Sequence, residues 1–167
     1  YLQSVKSMMT TEIANARATL TGEIAQLRTI SGTLANAESA LKIIAREAEA
    51  KRKEVRSQLD GIQAQKQAVE AEFAGLRAQL AQKQKELAVQ KAEPWLGRTF
   101  AGGNARIAAL NAEIAALETQ LAPERARKAE LASDFAIKQG QLAAIDADEQ
   151  SKAGPHLAAL NTLTGGR

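Results

Sequence analysis

The feature that most constrains the fold of this chain is a row of apolar residues spaced alternately three and four positions apart. In the second half of the chain the row begins at Ile107 and keeps one register to Ile145, with a few polar residues in its place. A row of the same spacing runs from Leu59 to Leu87, and a shorter one occupies positions 41–55. A period of 3.5 residues places these side chains along one narrow face of an α-helix, which indicates coiled-coil packing.

Composition favours the same interpretation. Aromatic residues make up only 3% of the 167 residues, although 45% are apolar and much of that share is alanine. A wide globular core needs larger side chains to fill it, whereas helices that touch along a narrow seam do not. Charged residues of both signs, 25% of the chain, are interspersed as in long helices and coiled coils. We therefore expect an all-α fold.

A short segment rich in helix breakers separates the two long rows. This segment is EPWLGRTFAGGN, residues 93–104, and it contains Pro94 and the pair Gly102–Gly103. Proline ends one helix, the glycines permit a reversal, and Asn104 is suited to capping the next helix. Two heptad helices joined in this way form a long antiparallel coiled-coil hairpin.

The hairpin predicts which seam positions face one another. With the centre of the tip near residue 98, Lys83 should lie opposite Ile114, and Lys128 should lie opposite Val69. Each lysine then meets a large apolar residue, along which its stem can lie while its ammonium group reaches water. The seam is expected to pass upstream through Lys51. The step between Val55 and Leu59 is four residues where three was due, which predicts a stutter in the spacing there.

Three parts of the chain are expected. They are one or more N-terminal helices at the base over 1–40, the coiled-coil hairpin over 41–153 with its tip at 93–104, and a short C-terminal helix and tail over 154–167. Leu157, Leu160 and Leu163 of the C-terminal helix could cover the apolar row around Ile30, Leu34 and Leu41, which gives a small helical bundle at the base.

Helix breaks are expected at three further places. Pro123 should kink or break its helix, and Gly154–Pro155 should end one helix and begin another. Ser31–Gly32–Thr33 is a candidate break in the N-terminal part, and the sequence leaves open whether the helix breaks there.

Residue types that carry catalysis or hold metals are sparse. The chain has no cysteine and a single histidine, His156. The glycines before Asn104 match neither the P-loop nor the dinucleotide-binding spacing. We expect no enzymatic activity, no catalytic residues, no cofactor, no metal site and no small-molecule substrate.

The charge balance is mild, with a formal net charge of +3. The densest basic cluster, Lys51–Arg52–Lys53 with Arg56, is interpreted as a solvated helix face, with a nucleic-acid or lipid-headgroup patch as the alternative. No specific nucleic-acid partner is expected. The acidic residues Asp146, Asp148 and Glu149 are predicted to lie at a fraying helix C-terminus, with contact to a basic partner as the alternative.

The tip is the best candidate for a functional surface. Trp95, Leu96, Arg98 and Phe100 lie in a segment with little expected core beneath it. Exposed aromatic residues at the end of a hairpin indicate contact with a partner or a membrane surface. The alternative is that the apolar side chains fold down and plug the end of the seam.

One segment carries a family resemblance. The stretch GPHLAALNTLTGG, residues 154–166, resembles part of an uncharacterised family of bacterial inner-membrane proteins, in which a glycine precedes an L-x-A-L-x-x-L-T run. The matching residues here are Gly154, Leu157, Ala159, Leu160, Leu163 and Thr164. The resemblance implies a helical hairpin with a Gly-rich tip placed between transmembrane helices. It implies no known activity, because the function of that family is unassigned.

The expected function is a non-enzymatic coiled-coil stalk or scaffold that binds a protein partner or associates with itself. No run of about 18 apolar residues occurs, so we expect a soluble segment without a transmembrane helix, and the start at Tyr1 suggests a piece of a longer protein. With the resemblance, this gives the segment of a membrane-anchored bacterial protein. The alternatives are a secretion-adaptor hairpin and a helical component of a phage virion. The partner, the oligomeric state, the compartment and the flanking sequence are left open.

Overall fold

The computed structural model describes residues 1–95 and 102–165, and two long α-helices account for most of them. Helix α1 covers Leu2–Ala92 and helix α2 covers Gly103–Gly165. The two helices pack against each other, and the described residues contain no strand. The predicted all-α helical hairpin is confirmed.

The chain divides into two compact units, each built from a stretch of both helices. The terminal unit holds Tyr1–Arg52 and Ala144–Arg167, and the central unit holds Lys53–Ala143. These boundaries differ from the three predicted parts, because α1 and α2 each run through a predicted division without a break.

In the central unit the least exposed residues follow the predicted seam. On α1 the half-buried and buried positions from 55 to 90 recur at steps of three and four, and Val69 is almost fully buried. On α2 the same spacing runs from Gly103 to Leu142, and Leu110, Leu121 and Leu131 are buried. The exception is Lys128, which is exposed although its position belongs to the row.

The pairing of the helices in this unit agrees with the predicted register. Lys83 reaches the carboxylate of Glu113, which neighbours the predicted partner Ile114. Lys128 reaches Glu70, which neighbours the predicted partner Val69. Both contacts join α1 to α2, so the antiparallel alignment inferred from the heptads is correct to within about one residue at these two places.

The terminal unit continues the same kind of seam. On α1 the covered positions begin at Ala37, which is buried together with Ala48. The next seam position is Arg52 and not the predicted Lys51, which is exposed. The extra residue therefore enters the spacing between Ala48 and Arg52, where the step is four residues instead of three, and not between Val55 and Leu59 as predicted.

The helices continue through each position where a break was predicted or considered. In α1 the hydroxyl of Thr33 donates to the carbonyl of Thr29, and the helix is unbroken at 31–33. In α2 the helix is unbroken at Pro123 and at Pro155, each of which costs about 3 kcal/mol in a helix interior. Both prolines are exposed, so water can reach the carbonyl group that each leaves without a donor.

These unbroken helices change the expected base of the hairpin. The short helix predicted from His156 is the last part of α2, which keeps its seam spacing as far as Leu163. The described residues therefore supply no third helix for the predicted bundle. Residues 1–36 of α1 are exposed throughout, because the positions that α2 covers begin only at Ala37.

Helix α2 begins at Gly103, two residues before the first helical position that a cap at Asn104 would give. The backbone N–H of Arg106 donates to the carbonyl of Gly102 at 3.2 Å, and Gly102 has a φ of 71°. A positive φ is accessible to glycine at little cost, so the chain enters the helix at Gly103 and not after Asn104. The prediction of Asn104 as the capping residue is therefore wrong.

Two valines on α1 offer a matched test of the seam. Val69 is 1% exposed and Val89 is 62% exposed. We expect Val69→Ala to lower the free energy of unfolding by about 2 kcal/mol, because it removes buried methyl groups and leaves a cavity. Val89→Ala should change it by less than about 0.5 kcal/mol.

The measurement is urea unfolding of both variants, followed by circular dichroism at 222 nm, where α-helices give a strong negative ellipticity. The gain in helix propensity from valine to alanine is shared by the two sites, so their difference reports packing alone. Equal losses at the two positions would contradict the seam described for the central unit.

Candidate functional site

The largest uncovered feature of the described residues is an apolar row on the first part of α1, here called the N-terminal apolar face. It continues the row of seam positions beyond the end of α2. Each of its members is at least 37% exposed. It consists of Leu2, Val5, Met9, Ile13, Leu20, Ile24, Leu27, Ile30 and Leu34.

The spacing of this face is that of a coiled-coil seam and not of scattered surface residues. Ile13, Leu20, Leu27 and Leu34 recur at intervals of seven, and the next member of this series is Leu41. Leu41 is half-buried at the start of the covered seam, whereas the other four are 49–64% exposed. A regular row with one covered end and one open end indicates a surface built to pack against another helix.

Threonine hydroxyls on this part of α1 are already satisfied within the helix. The hydroxyl of Thr10 donates to the carbonyl of Lys6 at 2.8 Å, and that of Thr19 donates to the carbonyl of Asn15 at 3.0 Å. Four further threonines of this part of the helix make the same bond to the preceding turn. A partner helix could therefore exclude water from the face without leaving these hydroxyls unpaired.

Of the row around Ile30, Leu34 and Leu41, which the C-terminal leucines were predicted to cover, only Leu41 is half-buried, whereas Ile30 and Leu34 are 42% and 49% exposed. The leucines expected to cover it lie in α2, where Leu160 and Leu163 are half-buried in the seam and Leu157 is 49% exposed. The signal that could have corrected this was the unbroken spacing through Pro155. It implied one continuous α2 whose leucines were already used in pairing with α1.

The predicted tip site is described only in part. Trp95 is 62% exposed, so its indole does not plug the end of the seam. Leu96, Arg98 and Phe100 lie outside the described residues. Contact between the tip and a partner stays a prediction.

In the terminal unit, Arg52 joins the basic and acidic clusters that the sequence had treated separately. Its Nε donates to Asp146 Oδ1 at 2.9 Å, and its Nη2 lies 2.8 Å from the same oxygen and donates to the carboxylate of Glu149. The hydrogen bonds that Arg52 donates to Glu149 and Asp146 raise the pKa of Arg52 above its ordinary value. The interpretation of the basic cluster as only a solvated face is therefore wrong for Arg52.

The acidic residues are correspondingly not at a fraying helix end. Helix α2 continues past Glu149 to Gly165, and Lys152 donates to Asp148 Oδ2 at 2.8 Å. This hydrogen bond lowers the pKa of Asp148. The three carboxylates are therefore ion-pair partners of Arg52 and Lys152 inside the terminal unit. This pairing counts against the alternative that they contact a basic partner.

In the central unit three lysines of the heptad row also find partners across the seam. Lys83 Nζ lies 2.7 Å from Glu113 Oε2, and Lys128 Nζ lies 2.5 Å from Glu70 Oε1. The ammonium group of Lys66 lies 4.8 Å from the centre of the Phe135 ring, which is a cation–π contact. These three lysines thus end on a carboxylate or a ring of the other helix, whereas Lys138 donates to Gln141 Oε1 on its own helix at 3.2 Å.

The described residues offer little else of chemical interest. Among residues 1–95 and 102–165, no group of three or more His, Asp or Glu side chains is suited to holding a metal ion. Neither described helix combines the length and the apolar character needed to cross a membrane. Comparison with known protein families, with curated proteins and with solved structures finds no match for this chain.

The ion pair between Lys128 and Glu70 predicts a pH dependence of stability. The hydrogen bond from Lys128 lowers the pKa of Glu70 below its ordinary value of 4.5. The stability that this shift contributes is present above pH 4.5 and is lost as the pH falls through the lowered pKa. We expect Glu70→Gln to lower the melting temperature at pH 7, and the difference from the parent chain to shrink towards pH 3.

The measurement is thermal unfolding by circular dichroism between pH 7 and pH 3. Glu72→Gln is the matched control, since Glu72 is exposed on the same helix and no ion pair is resolved for it. A deficit of the Glu70 variant that stays constant with pH, or an equal deficit in the control, would rule out this ion pair as the cause.

Proposed function

We propose that this chain is a non-enzymatic coiled-coil scaffold that mediates protein–protein interaction. The observation that carries the proposal is the N-terminal apolar face, an exposed heptad row that continues a seam already used for helix packing. Soluble proteins rarely leave a long apolar row of regular spacing open to water unless a partner covers it. The partner-binding element of this scaffold is then the first part of α1.

The rest of the described structure is consistent with a scaffold. Its buried residues lie along the seam, and its interhelical ion pairs hold the two helices in one register. A hairpin of this kind presents a fixed helix surface to a partner without needing a pocket. The exposed Trp95 gives the tip as a second candidate contact surface.

We further propose that the chain is the helical-hairpin segment of a membrane-anchored bacterial protein, with the tether outside this chain. This part rests on the resemblance of residues 154–166 to the inner-membrane family. In that arrangement the hairpin would act as a stalk or spacer, and the N-terminal apolar face would join it to its partner.

Site-specific photo-crosslinking in the cell that makes the protein tests the proposed function. A photoreactive amino acid replaces Leu20 in the apolar face, and in a matched control it replaces Ala18, which is exposed two positions away on the outer side of the helix. Illumination should produce a discrete protein adduct from position 20 and little from position 18, because only the apolar face is in contact with a partner.

An adduct identified as any single protein, including a second copy of this chain, supports a protein-binding role. The absence of a protein adduct from position 20, or equal labelling from both positions, would contradict it.

A further inference from the structure

Residues 2–27 of α1 carry a second pattern in addition to the heptad spacing. When this stretch is laid antiparallel to itself about the midpoint between Ala14 and Asn15, each residue faces the one at the same distance on the other side of that midpoint. Every member of the N-terminal apolar face in the stretch then faces another apolar residue. The facing pairs are Leu2 with Leu27, Val5 with Ile24, Met9 with Leu20, and Ile13 with Ala16. A second copy that runs antiparallel therefore meets apolar residues opposite its own.

The charged residues of the same stretch face charges of opposite sign in this alignment. It places Lys6 opposite Glu23 and Glu12 opposite Arg17, and residues 2–27 contain no other charged side chain. Their spacing of five or six positions places none of them three or four residues from another, so they cannot pair along their own helix. Within the described part of the chain, none of the four makes an ion pair. A second copy aligned in this way would pair all of them.

This stretch also has few other sources of helix stability. It contains several threonines and Gly22, which are weak helix formers, and α2 covers α1 only from Ala37 onward. Helices in water gain most of their stability from packing of an apolar face. Among the described residues, no helix packs against the part of the α1 seam that continues into residues 2–27.

We propose that two copies of this chain associate antiparallel through residues 2–27 of α1, about a two-fold axis between Ala14 and Asn15. The inference rests on the proposed function, since it takes the N-terminal apolar face as the binding surface and names its partner as a second copy. The interface is the same surface on both copies, as a two-fold axis requires. Each dimer contains two Lys6–Glu23 pairs and two Glu12–Arg17 pairs.

The charges select the antiparallel arrangement over the parallel one. In a parallel dimer with the helices in register, Lys6 would face Lys6 and Glu23 would face Glu23 near the seam, which is unfavourable. The antiparallel dimer also leaves room for α2. The second copy ends at its Tyr1, which lies opposite Arg28. Arg28 is about 13 Å along α1 from Ala37, where the cover by α2 begins, at 1.5 Å per residue.

Sedimentation equilibrium of the chain with charge-reversed variants tests the pairing. Lys6→Glu or Glu23→Lys alone should weaken the dimer roughly tenfold or more, because each places like charges together at two sites. The double variant should recover most of the affinity, because it restores opposite charges. In a parallel dimer the single variants replace one like-charge contact with another, so little change and no recovery would be seen.

Two controls keep the result interpretable. Circular dichroism checks that each variant retains the helix content of the parent chain. Glu72→Lys reverses an exposed charge in the central unit and should leave the dissociation constant unchanged.

Disulfide trapping gives an independent measure of orientation, since the chain has no cysteine of its own. Leu2→Cys and Leu27→Cys are prepared separately, mixed and oxidised. We expect the mixed disulfide between the two variants, because Leu2 and Leu27 face each other across the dimer. Preferential linkage of each variant to itself would overturn the antiparallel arrangement.

The outcomes separate this inference from the proposed function. A chain that stays monomeric at all concentrations, while position 20 crosslinks to a different protein in the cell, overturns the second copy as partner and leaves the scaffold function standing. A monomeric chain with no adduct at position 20 overturns both. A dimer whose affinity responds to the Lys6 and Glu23 variants as described supports both.

Discussion

The structure depends on one interaction, the packing of α1 and α2 along a narrow heptad seam. The buried residues lie on this line, and Val69, Leu110, Leu121 and Leu131 mark its centre in the central unit. Because the seam is narrow, it needs few large side chains, which explains an alanine-rich chain with only 3% aromatic residues. The interhelical ion pairs then lie at the edges of the seam and fix its register.

Much of the fold could be predicted from the sequence, because the heptad spacing of the apolar residues shows which face of each helix is buried. The hairpin, its direction and the pairing near Lys83 and Lys128 followed from the period of 3.5 and the position of the tip. The continuity of α2 through Pro123 and Gly154–Pro155 could not be predicted, because local rules place helix breaks at both. Each proline costs about 3 kcal/mol, and packing on both sides of it outweighs that cost.

The candidate site was harder to predict, for physical reasons that differ between its parts. The choice of Arg52 over Lys51 depends on carboxylates at Asp146 and Glu149, which are far away in sequence and meet Arg52 only once the helices pair. The N-terminal apolar face was visible as a row, but its exposure depends on where α2 ends. Local spacing shows that a helix surface is apolar, whereas only the pairing of the two helices shows which part of it is left uncovered.

Intramolecular cross-linking across the seam tests the central claim most directly. Cysteines are placed at Glu70 and Lys128, whose side chains meet in the structure, and a short bismaleimide is added to the dilute protein. A control has cysteines at Glu70 and Glu118, about 15 Å further along α2 at 1.5 Å per residue. The account predicts a rapid link within one chain for the first pair and little for the second. Equal linking of the two pairs, or a faster link in the control, would contradict a seam with a single register.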